Sequence, residues 1–235
     1  MEKNTPNKIS AHDLLIKTFT EKATLKNQIY QNTLKTFKQL RVVLKQMAAD
    51  LKKEISQHSK DIVVEYKEQG EFMVELKFAG DVLIFVMHTN IFHFEKDHYI
   101  WKQSYIDKDN TRSYCGMINV YNFLADSFKY NRINDAGYMV ARLFVNKENH
   151  YFVEGKRQLG YLYNDFPNAL IDRTAVRAIV ESAILYSLSF DLLTPPYDTV
   201  KELSVQDMND ASLYLNVKTG KRVGFRFQAS DEDIR

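Results

Sequence analysis

Six apolar residues, Val82 to Met87, run without alternation between the turn-forming pairs Gly80-Asp81 and Thr89-Asn90. A strand with one face in water alternates apolar and polar side chains. An unbroken run of this length therefore predicts a strand covered on both faces, in the middle of a sheet. The rest of the chain has to supply that cover.

Other segments with strand character surround it. Ile62 to Lys67 and Glu71 to Phe78 are separated by Gln69-Gly70, and Ala79-Gly80-Asp81 turns into the central run. Phe92 to Glu95 and Tyr99 to Trp101 are expected to form a hairpin through Lys96-Asp97-His98. Tyr138 to Val145 and His150 to Val153 predict another, joined by residues 146–149. Connections this short cannot make parallel crossovers, so the sheet is expected to be an antiparallel meander of about five to seven strands. Met117 to Tyr130 carries Tyr121, Leu124 and Phe128 at helical spacing and is expected to be a short helix. Asn168 to Leu188 predicts a second helix, stopped by Pro195-Pro196. A small hairpin is expected over Ser212 to Asn216 and Val223 to Phe227, followed by a disordered tail at 230–235.

No glycine or proline falls between Pro6 and Gly70. Ser10 is placed to cap a helix, with Asp13 at its third position. Tyr30, Leu34, Phe37, Leu40, Leu44, Met47, Leu51 and Ile55 then recur by threes and fours. The pattern predicts one long helix, or a pair folded back near Lys22 to Asn27, where apolar residues thin out. Its stripe over residues 30–55 could pack on the sheet or against the same stripe of a second copy. The fold class is α+β: a long N-terminal helix or helix pair, the antiparallel sheet, and a C-terminal helix packed on it. The division expected is a basic helical arm at 1–60, an α+β body at 61–229, and the tail.

Charge separates arm from body. Residues 1–60 carry twelve Lys or Arg against five Asp or Glu, while the other 175 carry twenty against twenty-five. A basic arm on an acidic body suits an acidic protein or nucleic-acid partner, and on a helix Lys38, Arg41 and Lys45 share a face that could meet phosphates. The single cysteine, Cys115, excludes an internal disulfide and fits a reducing compartment. There is no signal-peptide core, and no apolar run reaches membrane-spanning length, so a cytoplasmic protein is expected.

Phosphate-cradling glycine motifs and the Gly-x-Ser-x-Gly elbow are both missing. Three weaker signals remain. His93, Glu95 and Asp97 would project from one strand face and could surround a metal. Glu-x-Lys occurs at Glu65/Lys67, Glu75/Lys77 and Glu154/Lys156. Metal-dependent nucleases use such a pair beside a further acid to hold Mg²⁺, and Glu154 and Lys156 are the best placed. Gly155 and Gly160 bracket Lys156 and Arg157, with Tyr161 and Tyr163 nearby, an arrangement in which backbone could approach an anionic ligand. Eighteen of the thirty aromatic residues fall between Phe85 and Phe166, where they either fill the sheet core or line a pocket.

These features together predict a non-enzymatic binding or regulatory protein. It would self-associate through its N-terminal helix and bind a ligand or protein through the aromatic-rich sheet. A Mg²⁺-dependent nuclease and a nucleic-acid-associated protein are the two alternatives.

Overall fold

The computed structural model describes residues 10–208, except residues 134, 192, 193, 195, 203 and 207. The hairpin and tail expected beyond residue 211 lie outside the described residues.

Helix α1 runs unbroken over Ala11–Ile55, 45 residues, or about 67 Å at 1.5 Å per residue. The Ser10 side chain accepts from the Asp13 backbone N–H at 3.0 Å, as the capping pattern predicts. No fold-back occurs at Lys22 to Asn27. That stretch is largely polar, but Lys, Ala and Leu are good helix formers and no glycine or proline breaks the ladder.

The strands are β1 (Val64–Glu68), β2 (Met73–Phe78), β3 (Asp81–Met87), β4 (Phe92–His93), β5 (Tyr114–Leu124), β6 (Tyr138–Asn146) and β7 (Tyr151–Gly155). They form one antiparallel sheet in the order β1-β2-β3-β5-β6-β7. The short β4 pairs Phe92 with Cys115 and His93 with Tyr114, at the start of β5, ahead of the segment that pairs with β3. As its unbroken apolar run requires, β3 is central and covered on both faces. Leu83, Phe85 and Met87 belong to the core under the helices, while Val82 and Ile84 pack with Ala125 on the other side.

Helix α5 (Arg173–Leu188) lies beside α1 on the first face. It begins at the Asp172 cap rather than at Asn168, because the Asp172 carboxylate takes the Ala175 N–H at 2.7 Å. Phe37, Leu40, Leu44 and Met47 of α1 join Val176, Ile179, Val180 and Ala183 of α5 over the sheet. The second face is covered partly by the excursion between β4 and β5, which includes α2 (Ser104–Asp107). There Ile100, Ile106, Phe144, Phe152 and Phe166 form a smaller core.

Two expected elements differ. Tyr99–Lys102 is a 3₁₀ turn and not the second arm of a hairpin, because His98 caps it by accepting from the Ile100 N–H. The expected helix over Met117 to Tyr130 is mostly strand, with only α3 (Ala125–Lys129) helical. Gly116, Ile118, Val120 and Asn122 alternate on one face of β5 along their β6 or β3 partners, so sheet pairing overrode a helical spacing of three aromatic and aliphatic residues.

Candidate functional site

The apolar stripe of α1 over residues 30–55 is used within the molecule. Phe37, Leu40, Leu44 and Met47 are buried, and Tyr30, Leu34, Leu51 and Ile55 pack against the same core. The stripe therefore packs on the sheet, the first of the two outcomes that its spacing allowed.

The N-terminal part of the helix is different. Its last polar anchor to the body is Gln28, whose side chain donates to the Lys147 carbonyl at 3.0 Å, one turn before Asn32 donates to the same carbonyl at 2.8 Å. Ahead of that point the helix continues past the sheet. Leu14, Leu15, Ile16 and Phe19 are exposed there, Phe19 to 70%. At 100° per residue, Leu15, Thr18 and Phe19 fall on the side that Ile29, Leu40 and Leu44 bury farther along. Leu14, Leu15, Thr18, Phe19 and Ala23 lie side by side along this open helix face. A cleft of about 660 Å³ lies where the projection leaves the body, between Lys22, Lys26 and Gln28 above and Thr111, Tyr114 and Lys147 below. The sequence reading missed this segment because polar Lys22 to Asn27 interrupts the stripe. The signal was the recurrence of apolar residues at 14, 15 and 19, in phase with 29, 33 and 40.

Of the basic residues expected to meet phosphates, Lys38 and Lys45 stand in solvent, while Arg41 ion-pairs with Glu68 of β1, which also accepts from the Tyr66 hydroxyl. The three therefore do not form one free cationic face.

The Glu-x-Lys repeats acquire a physical explanation from strand register. Glu65 lies opposite Lys77 and Lys67 opposite Glu75, so two of the repeats are cross-strand acid–base pairs. Glu154 lies opposite Arg142 and bonds to it, and its other oxygen meets His98 Nε2 at 2.8 Å. Lys156 lies beyond the strand end in solvent. Asp135, the acid nearest in sequence before that strand pair, bonds Ser127 and Arg132. Among the described residues no three His, Cys, Asp or Glu side chains are grouped to hold a metal. His93, Glu95 and Asp97 follow this: the His93 ring packs against Trp101 and Tyr114.

The turn after β7 is tight for packing reasons. A Cβ on Gly155 would lie 2.7 Å from the Leu159 Cβ, and one on Gly160 would lie 2.4 Å from the Gly155 carbonyl oxygen. These glycines let α4 (Gln158–Tyr161) fold back on β7. Arg157 turns toward α5, 3.4 Å from the Ser189 hydroxyl, and Tyr163 bonds Ser182 at 2.8 Å. Tyr161 and Lys156 face solvent, so the four expected ligand contacts do not converge. Burial pushes the Cys115 thiol well above its ordinary range, as for a packed side chain.

Comparison with known proteins finds nothing similar: no family model, no curated protein and no solved structure matches the chain.

Proposed function

We propose that this is a non-enzymatic binding or regulatory protein that self-associates through the projecting start of α1, residues 11–26. The observation that carries the reading is the exposure of Leu14, Leu15 and Phe19 on a helix that has left its own core. An unpacked helix of some four turns is marginal in water, and its apolar face calls for cover. Charge favours a second copy crossing antiparallel. With Phe19 near the two-fold axis, Leu15 of one copy comes level with Ala23 of the other, and Lys22 and Lys26 stand away from their own copies. A parallel pair would instead set Lys22 and Lys26, which share the apolar face, each beside itself, and would align the helix dipoles unfavourably.

The magnitudes fit a reversible dimer. Fully covering a Leu or Phe is worth roughly 1.5–3 kcal/mol, and three such side chains per copy must offset an association cost of roughly 4–15 kcal/mol. Native mass spectrometry and sedimentation of the full chain test the reading, alongside Leu15→Glu/Phe19→Glu. The expected result is a dimer at micromolar concentration that becomes monomeric in the double variant with its melting temperature little changed. A monomeric wild-type chain, or an oligomer unaffected by the two substitutions, overturns it.

A further inference from the structure

On the helix-covered face of the sheet, three polar residues meet at the edge of the main core. Asp81 opens β3, Asn122 lies near the end of β5, and Tyr138 opens β6. Register brings them together, since Asn122 pairs with Leu83 on one side and with Tyr138 on the other. The Asn122 Nδ2 donates to Asp81 Oδ1 at 2.9 Å and to the Tyr138 hydroxyl oxygen at 2.8 Å. This amide orientation follows from chemistry, because the opposite one would turn an amide oxygen toward a carboxylate.

What remains unmatched in the cluster is acceptor capacity. Asn122 is 1% exposed, yet its Oδ1 has no hydrogen-bond partner among the described residues. Buried amide oxygens are almost always satisfied, so an orphan of this kind calls for a donor. Asp81 makes no ion pair with any described residue. Burial raises its carboxyl above the ordinary range, with the Asn122 bond opposing. Both residues line a cavity of about 200 Å³, together with Phe123, Tyr138 and Phe190.

The walls narrow the chemistry. Gly137 has no side chain because the Phe123 ring lies against it, and a Cβ there would come within 2.3 Å of the ring. The Tyr138 and Phe190 rings are 4.8 Å apart between centroids. Aromatic faces around a lone carboxylate suit an organic cation, which gains from the ring quadrupole as well as from the charge. Phe190 directly follows Ser189, the C-cap of α5, so the cavity adjoins the negative end of that helix dipole, and no basic residue occupies the last turn. A bare divalent ion is a poorer fit, with one carboxylate and space for about seven waters at roughly 30 Å³ each.

We infer that the cavity between Asp81, Asn122, Tyr138 and Phe190 is a binding site for a small primary ammonium group. One N–H is directed to the Asp81 carboxylate, and the alkyl portion rests among the rings. The site is separate from the projecting helix and does not depend on self-association.

Propylammonium chloride is the probe, titrated into the isotopically labelled full chain by amide NMR, with sodium chloride and 1-propanol as matched controls. Saturable shifts at Gly80, Asp81, Tyr138 and the Asn122 side-chain amide are expected with propylammonium alone. Asp81→Asn keeps the shape and removes the charge, and is expected to weaken binding at least ten-fold without lowering the melting temperature. Phe190→Leu keeps an apolar wall and removes the ring face, and is expected to weaken it several-fold. Absence of saturation, equal shifts with 1-propanol, or undiminished binding by Asp81→Asn overturns the inference.

Discussion

Gly116 marks a close approach of α1 to the sheet. A Cβ on it would lie 2.0 Å from the Thr33 Oγ1 and 2.8 Å from the Thr33 Cβ. Neither partner has room to move, since Thr33 is fully buried and its hydroxyl donates to the Ile29 carbonyl at 2.8 Å. Gly116→Ala is therefore expected to cost about 1–3 kcal/mol, as overpacking of a close-packed core does. In a chain of this size that lowers the melting temperature by about 2–4 °C for each kcal/mol. Thr33→Ala removes the nearest clashing atoms, so the double variant should be more stable than the two separate losses predict, by more than about 0.5 kcal/mol. Thermal melts of the four proteins check this, and simple additivity would show that the two residues do not compete for the same space.

At the scale of elements, the excursion between β4 and β5 is held to the β6–β7 turn by polar bonds. Lys147 donates to Asp109 at 2.5 Å and to the Thr111 hydroxyl at 2.7 Å, Arg112 meets Glu148 at 3.1 Å, and Tyr105 donates to Glu148 at 2.7 Å. The Lys147 bond, and then the Thr111 hydroxyl, hold the Asp109 carboxyl down at about 2. A carboxyl depressed in the folded state adds stability that is fully present above its unfolded value, near 4, and lost as pH falls through about 2. Asp109→Asn should accordingly lower the melting temperature clearly at pH 6 and much less near pH 2. A gap of equal size at both values would exclude an electrostatic clamp. This network was not legible in the sequence, because its members are 36 to 43 residues apart. Strands were legible where their own pattern decides them, as with Val82 to Met87 and Tyr138 to Val145. Met117 to Leu124 was misread since its strand state depends on β3 and β6 on either side, which no local spacing records.

The whole molecule places one helix in two environments. From Ile29 to Ala48, α1 is the cover of the sheet, and from Ala11 to about Lys26 it is a projection with the same face uncovered. The long helix was readable from the absence of glycine and proline, but where it runs off the sheet was not, because that depends on the width of the sheet beneath it. The four anion-site candidates around Lys156 and the Glu-x-Lys pairs failed to converge for a related reason. Their spacing records turn packing and cross-strand register, which sequence alone does not separate from chemistry. The geometry of the proposed dimer is testable by distance. In an antiparallel crossing centred on Phe19, position 18 lies about 3 Å along the axis from its own copy, while position 22 lies about 9 Å away, at 1.5 Å rise per residue. A disulfide needs Cα atoms within about 7 Å. Native Cys115 is buried and supplies no background. Thr18→Cys should therefore form a linked dimer under mild oxidation, read on a non-reducing gel, and Lys22→Cys should do so poorly although both lie on the same face. Equal linking at both positions would mean a parallel pair, whose like-charged lysines the proposed arrangement avoids, and linking at neither would remove the helix from the interface.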